Sequence, residues 1–172
     1  MKRRLAIFCM AVWLTGTLWM AVIATENFFT IDRLLSARAN PGFNAIVDKL
    51  GPAEANAFLV YLASELNRLL FQVWGLIQIG IGILTLWLVV PLPRSSRPKW
   101  MIVSMLAITL LFAAILTPQI VSVGRELDFV ARDPAPSGLR TFGLLHAGYT
   151  VLDGVKLILG MIVTVSLIRG RE

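Results

Sequence analysis

The chain has 172 residues, 57% of them hydrophobic and 15% charged. Too little polar surface is left to clothe a soluble globule of this length, so water cannot be its only solvent. The formal charge of +6 argues poorly for nucleic acid, because the basic residues cluster at the ends of apolar runs, where they orient a chain in a membrane and touch anionic lipid.

Four apolar runs follow one another: Leu5 to Ile23, Leu69 to Val90, Trp100 to Ile120 and Val151 to Ile168. Each is close to the ~20 helical residues that cross a ~30 Å hydrocarbon layer. They are continuous rather than alternating, which favours helices over a closed barrel. The prediction is an all-α polytopic membrane protein, a single domain over residues 1–172 built as a four-transmembrane-helix bundle. Its spans lie at about 5–27, 69–91, 100–121 and 146–168, with a short extra-membrane helical connection over 28–68. A cleavable signal peptide competes at the start, since Lys2-Arg3-Arg4, an apolar core and Val22-Ile23-Ala24 resemble one. The run exceeds the usual ~7 to 15 apolar residues, which favours a retained span. Cys9 is the only cysteine, so it forms no intrachain disulfide and reads as a small buried hydrophobe.

Beyond the first span Phe28, Phe29, Ile31, Leu34 and Leu35 continue the helical pattern, until Asn40-Pro41-Gly42 breaks it. Phe43, Ile46, Val47 and Leu50 recur at helical spacing with Asn44, Asp48 and Lys49 on other faces, which suits a short helix at the interface or against a partner. Gly51-Pro52 ends it, Pro52 opens the next helix with Glu54 near its positive end, and nothing breaks the pattern before Pro91. That helix is expected to run ~40 residues, or ~60 Å. Pro118 is expected to kink or finish the third span. Ser122 to about Thr141, with Asp133-Pro134-Ala135-Pro136-Ser137-Gly138, reads as a surface loop.

Orientation follows from charge. Lys2, Arg3, Arg4, Arg94, Arg97, Lys99, Arg169 and Arg171 fall in three segments that hold one acid, Glu172, whereas the other connections balance seven basic residues against eight acidic ones. Basic segments favour the cytoplasm, so both termini are expected there, in a bacterial inner membrane. A cysteine introduced at Ser95 should label only from the cytoplasmic side and one at Ser137 only from outside. Labelling of position 137 from the cytoplasm would overturn this topology.

Two polar stripes carry what chemistry there is. On the fourth span His146, Tyr149, Asp153 and Lys156 recur at three, four and three residues, and on the second Tyr61, Glu65, Arg68, Gln72 and Gly75 do the same. Each intramembrane charge costs ~2.5 to 3.5 kcal/mol on insertion scales, so Asp153 and Lys156 should face other helices and each other. Counting from the inner helix ends places Lys156 level with Gln78, Asp153 with Gly75 and His146 with Arg68, and Glu26 could join the outer group. Gly75, Gly80, Gly82, Gly154 and Gly160 offer surfaces for close helix approach. Glu65, Arg68, Gln72, His146, Tyr149, Asp153 and Lys156 are therefore the candidates for a ligand or proton site, weighed against an ion pair that merely fixes helix register.

His146 could ligate a haem or chlorophyll metal or sense pH, but one histidine excludes a bis-histidine haem made by this chain alone. Met10, Met20, Met101, Met105 and Met161 with Cys9 could suggest soft copper ligation, but their scatter points to core packing. No metal site is predicted and no cofactor is identified. There is no phosphate-cradling glycine loop and no nucleophile elbow, and a non-enzymatic protein is expected.

Val12-Trp13-Leu14-Thr15-Gly16, Phe28-Phe29, Leu116-Thr117-Pro118-Gln119-Ile120 and Phe142-Gly143-Leu144-Leu145-His146 together resemble an uncharacterised bacterial family of four-helix inner-membrane proteins, broadly similar to copper-resistance-D-type membrane proteins. The resemblance spans nearly the whole chain and implies a membrane bundle without an established reaction. Asp153, where that family would have asparagine, and the Glu65–Arg68 run depart from it and put an inherited ligand role in doubt. The reading that follows is an accessory or assembly subunit of a larger inner-membrane complex, docking other subunits through Phe28, Phe29, Phe43, Ile46 and Leu50. The alternative is a small transporter or metal- or cofactor-binding protein that uses the polar interior.

Overall fold

The computed structural model describes residues 1–92 and 96–170; Arg94, Ser95, Arg171 and Glu172, named above, lie outside the described residues. The described residues form helices without strands: α1 (Lys2–Ala37), α2 (Pro41–Leu50), α3 (Pro52–Val89), α4 (Ser96–Leu111), a π-helical turn (Phe112–Leu116), α5 (Thr117–Glu126) and α6 (Gly138–Arg169). The protein is an all-α bundle in which four rods, α1, α3, α4 with α5, and α6, are long and apolar enough to cross a membrane.

Local chemistry sets the breaks. α1 stops at Arg38, which takes a left-handed conformation, and the Asn40 carboxamide then accepts the Phe43 amide at 3.0 Å as an N-cap, with Pro41 in the first turn of α2. Gly51, at φ 94°, makes the second reversal in a region that costs other residues strain, and Pro52 starts α3. At 36 and 38 residues, α1 and α3 outrun the spans they contain.

The rods pack α1 on α3, α3 on α4, α4 on α6 and α6 on α1, a closed ring of antiparallel neighbours. Its dry core occupies the basic end, where Ala6, Cys9, Met10 and Trp13 meet Leu88, Val89, Ile102, Met105, Val163 and Leu167. Arg3 closes that end against the last turn of α6 and its C-cap, donating to the carbonyls of Leu167, Ile168 and Gly170, at the helix end where carbonyls run out of intrahelical amides. Leu69, Leu76, Ile77, Ile83 and Trp87 of α3 are all exposed, an apolar face that needs a non-aqueous surrounding.

Three of the expected glycine contacts do not form: Gly75, Gly80 and Gly154 face open space, whereas Gly82 lies against Trp13 and Leu106, and Gly160 against Leu14 and Met105. The tightest approach belongs to Gly16, where an added Cβ would fall 2.1 Å from the Trp74 ring. Pro118 does not finish its helix. A π turn over Phe112–Leu116 precedes it, with the Thr117 amide donating to the Phe112 carbonyl, and the rod continues to Glu126. The predicted loop is correspondingly shorter, because Ser122–Glu126 and Gly138–Thr141 are helical; Gly124 packs against Phe142, and the two ends hold each other.

Candidate functional site

Two polar clusters lie within the bundle. In the inner one, α6 carries Lys156 with its side chain only 1% exposed. Its ammonium pairs with Asp153 Oδ1 at 2.7 Å, donates to Gln78 Oε1 at 2.5 Å and sits 4.9 Å from the Phe112 ring centroid. The same Gln78 oxygen accepts from Trp13 Nε1 at 2.8 Å, so both its lone pairs are used. Phe112, the first residue of the π turn, stacks on Tyr149 at 3.9 Å, and Tyr149 meets the edge of Phe71 at 5.7 Å. Three rods thus meet at one ammonium, and α1 joins them through Trp13 on the shared Gln78 oxygen. The arrangement gives a buried cation a carboxylate, a carbonyl and an aromatic face, which is how low-dielectric surroundings tolerate a charge.

The outer cluster is an alternating chain of charges. Arg68 on α3 donates to Asp128 in a bidentate pair at 2.8 and 3.0 Å and to Glu65 at 2.5 Å, and Arg125 at the end of α5 takes both Glu65 oxygens at 3.2 Å. Arg68 and Asp128 are 11% and 15% exposed against 60% for Arg125, so the energetic weight falls on the inner pair. Tyr61 and Phe129 lie beside it with ring centroids 5.1 Å apart, and with Arg68 and Asp128 they line a cavity of about 760 Å³. Across the bundle, Asn27 donates to Asn67, whose own amide donates to the Ala24 carbonyl, tying α1 to α3.

Of the seven candidate residues, Tyr149, Asp153 and Lys156 come together in the inner cluster and Glu65 and Arg68 in the outer one. Gln72 and His146 join neither: both are exposed. Gln72 is displaced because six residues turn it about 120° around the helix from Gln78, the position that faces the bundle. His146 stands at the edge of its stripe, stacked on Phe142 at 5.9 Å, because α5 meets α6 through Phe142 and leaves position 146 outside the contact. Glu26 pairs with Arg33 on its own helix and does not reach the outer cluster. His146→Ala should therefore change the unfolding free energy by no more than about 0.5 kcal/mol, as surface changes do. A loss of several kcal/mol in chemical unfolding would contradict that placement. Trp13, Gln78, Phe112, Arg125 and Asp128 complete the two clusters. Only Gln78 carried a sequence signal, its level with Lys156.

Among the described residues no group of three or more His, Cys, Asp or Glu side chains is placed to hold a metal ion. Around the outer extension Phe28, Phe29, Ile46 and Leu50 are 40%, 57%, 59% and 52% exposed, and Phe43 is half-buried. The geometry defines the class as a four-helix bundle with membrane-spanning dimensions and two internally paired polar clusters. No family model matches the chain, and no curated protein or solved structure matches it either, so these comparisons do not bear on the resemblance to copper-resistance-D-type proteins.

Proposed function

We propose that this protein is a non-catalytic subunit of a bacterial inner-membrane complex, with both termini in the cytoplasm, that docks its partner outside the membrane. The observation that carries this reading is the apolar surface on the part of the molecule beyond the spans. α1 and α3 are about 54 and 57 Å long at 1.5 Å per residue against a hydrocarbon layer of ~30 Å, so both project well past it. On that projection Phe29, Ile46, Leu50 and Phe58 are each more than half exposed. α2 packs on α3 alone, which leaves its Ile46 and Leu50 without a neighbouring element. Covering such side chains gains roughly 25 cal/mol per Å² of apolar area, and a partner subunit supplies the cover.

The polar clusters support this reading from the other side. Their charged groups are paired with one another, the pattern of residues that fix helix register. A second reading, a small transporter or cofactor-binding protein working through Lys156 and Asp153, draws on the π turn that brings Phe112 to the ammonium, since such turns recur at functional sites.

Purification in mild detergent tests the choice. The wild-type chain should migrate on native gels in stoichiometric complex with other subunits, and Phe29→Ser with Ile46→Ser should lose at least tenfold of that complex while melting as the wild type does. Migration as a monomer or homodimer, with water reaching Lys156 in hydrogen exchange, would favour the second reading.

A further inference from the structure

We propose that the basic end of the bundle holds an anionic phospholipid, with its phosphate on Lys2 and an acyl chain in a notch beside Trp87. The notch, about 500 Å³, is lined by Ile83, Leu86, Trp87, Val90 and Pro91 of α3 and its exit, with Lys2 as its one charged residue. Ile83, Trp87 and Val90 are 56%, 63% and 54% exposed, so this wall faces the surroundings of the bundle rather than its core. The Lys2 ammonium stands 5.3 Å over the Trp87 ring and makes no hydrogen bond among the described residues, so its donors remain for an anion.

The setting fits the charge. Lys2, Arg3, Arg4, Arg97, Lys99 and Arg169 gather at this end of the four rods, and no described acidic residue does. Arg3 is committed to the carbonyls of α6, which leaves Lys2 as the cation at the mouth of the notch. An open apolar notch with an ammonium at its rim that has no acidic partner among the described residues matches an amphiphile that carries a chain and a phosphodiester together. A free anion would leave the notch unused, and a zwitterionic lipid would bring a choline cation against Lys2.

Native mass spectrometry of the full chain, titrated with phosphatidylglycerol, phosphatidylcholine or inorganic phosphate, tests this. Phosphatidylglycerol should be retained in preference to phosphatidylcholine, and millimolar phosphate should not displace it. Lys2→Gln should weaken it about fivefold, the factor that ~1 kcal/mol per basic residue at an anionic surface represents, whereas Arg4→Gln, off the notch, should bind nearly as the wild type does. In the wild-type chain, phosphatidylglycerol with brominated acyl chains should quench tryptophan fluorescence, and Trp87→Phe should remove that part of the quenching. Equal retention of the two lipids, equal losses in Lys2→Gln and Arg4→Gln, or displacement by phosphate alone would each overturn the site.

Discussion

Replacing Asp153 with alanine should destabilise the protein more than replacing Asp153 and Lys156 together with apolar residues. The single change leaves a Lys156 side chain that is 1% exposed with only a carbonyl and an aromatic face for its charge. Breaking one half of a buried ion pair costs about 3 to 5 kcal/mol, and the lower end applies because Asp153 retains some exposure. Asp153→Leu with Lys156→Met removes both charges at nearly constant volume and leaves the Trp13 to Gln78 bond in place, so the loss should be within about 1 kcal/mol of the wild type. A double-mutant cycle in detergent, read by denaturant midpoint, should give a coupling of about 2 kcal/mol or more. Additive effects would mean that the two residues do not act as a pair. Gln78→Leu probes the same junction from α3, since one oxygen there serves two donors on two other helices. It should be as damaging as Asp153→Ala, and wild-type stability in that variant would remove Gln78 from the junction.

The parts of the fold that were legible in the sequence are those set by local or solvent chemistry. Apolar runs must be helical in lipid whatever their neighbours, and Asn40-Pro41 and Gly51-Pro52 terminate helices through their own backbone constraints. Lys156 and Asp153 were legible for a similar reason, being one turn apart on one helix, and level counting along α3 reached Gln78. What the sequence hid depends on neighbours. Trp13 looks like a packing residue until its indole meets an acceptor on another helix. Phe112 cannot be placed by a 3.6-residue period because the π turn that begins there shifts the register. Asp128 and Arg125 lie in a stretch that reads as loop, and their roles come from α3 rising alongside it. Periodicity also brought His146 and Gln72 inside, whereas no neighbouring rod covers their faces.

Arg68 should prove to be the residue that holds the outer end of the bundle closed. It joins α3 to the segment after α5 through a bidentate pair with Asp128, both side chains being mostly buried, whereas Arg125 reaches Glu65 from an exposed position. Arg68→Met should cost about 2 kcal/mol, the scale of charge-assisted hydrogen bonds whose partner is left behind. Arg125→Ala should leave the midpoint unchanged, because exposed pairs are screened by water. Arg68→Lys should not rescue the loss, since an ammonium cannot span both Asp128 oxygens while also holding Glu65. The readout that separates a local clasp from general destabilisation is limited proteolysis of residues 127–137. In Arg68→Met that segment should be cut at least tenfold faster, with the helical circular dichroism of the four rods intact. Unchanged cleavage would show that the segment is held by other contacts, foremost Gly124 against Phe142 and Tyr61 against Phe129.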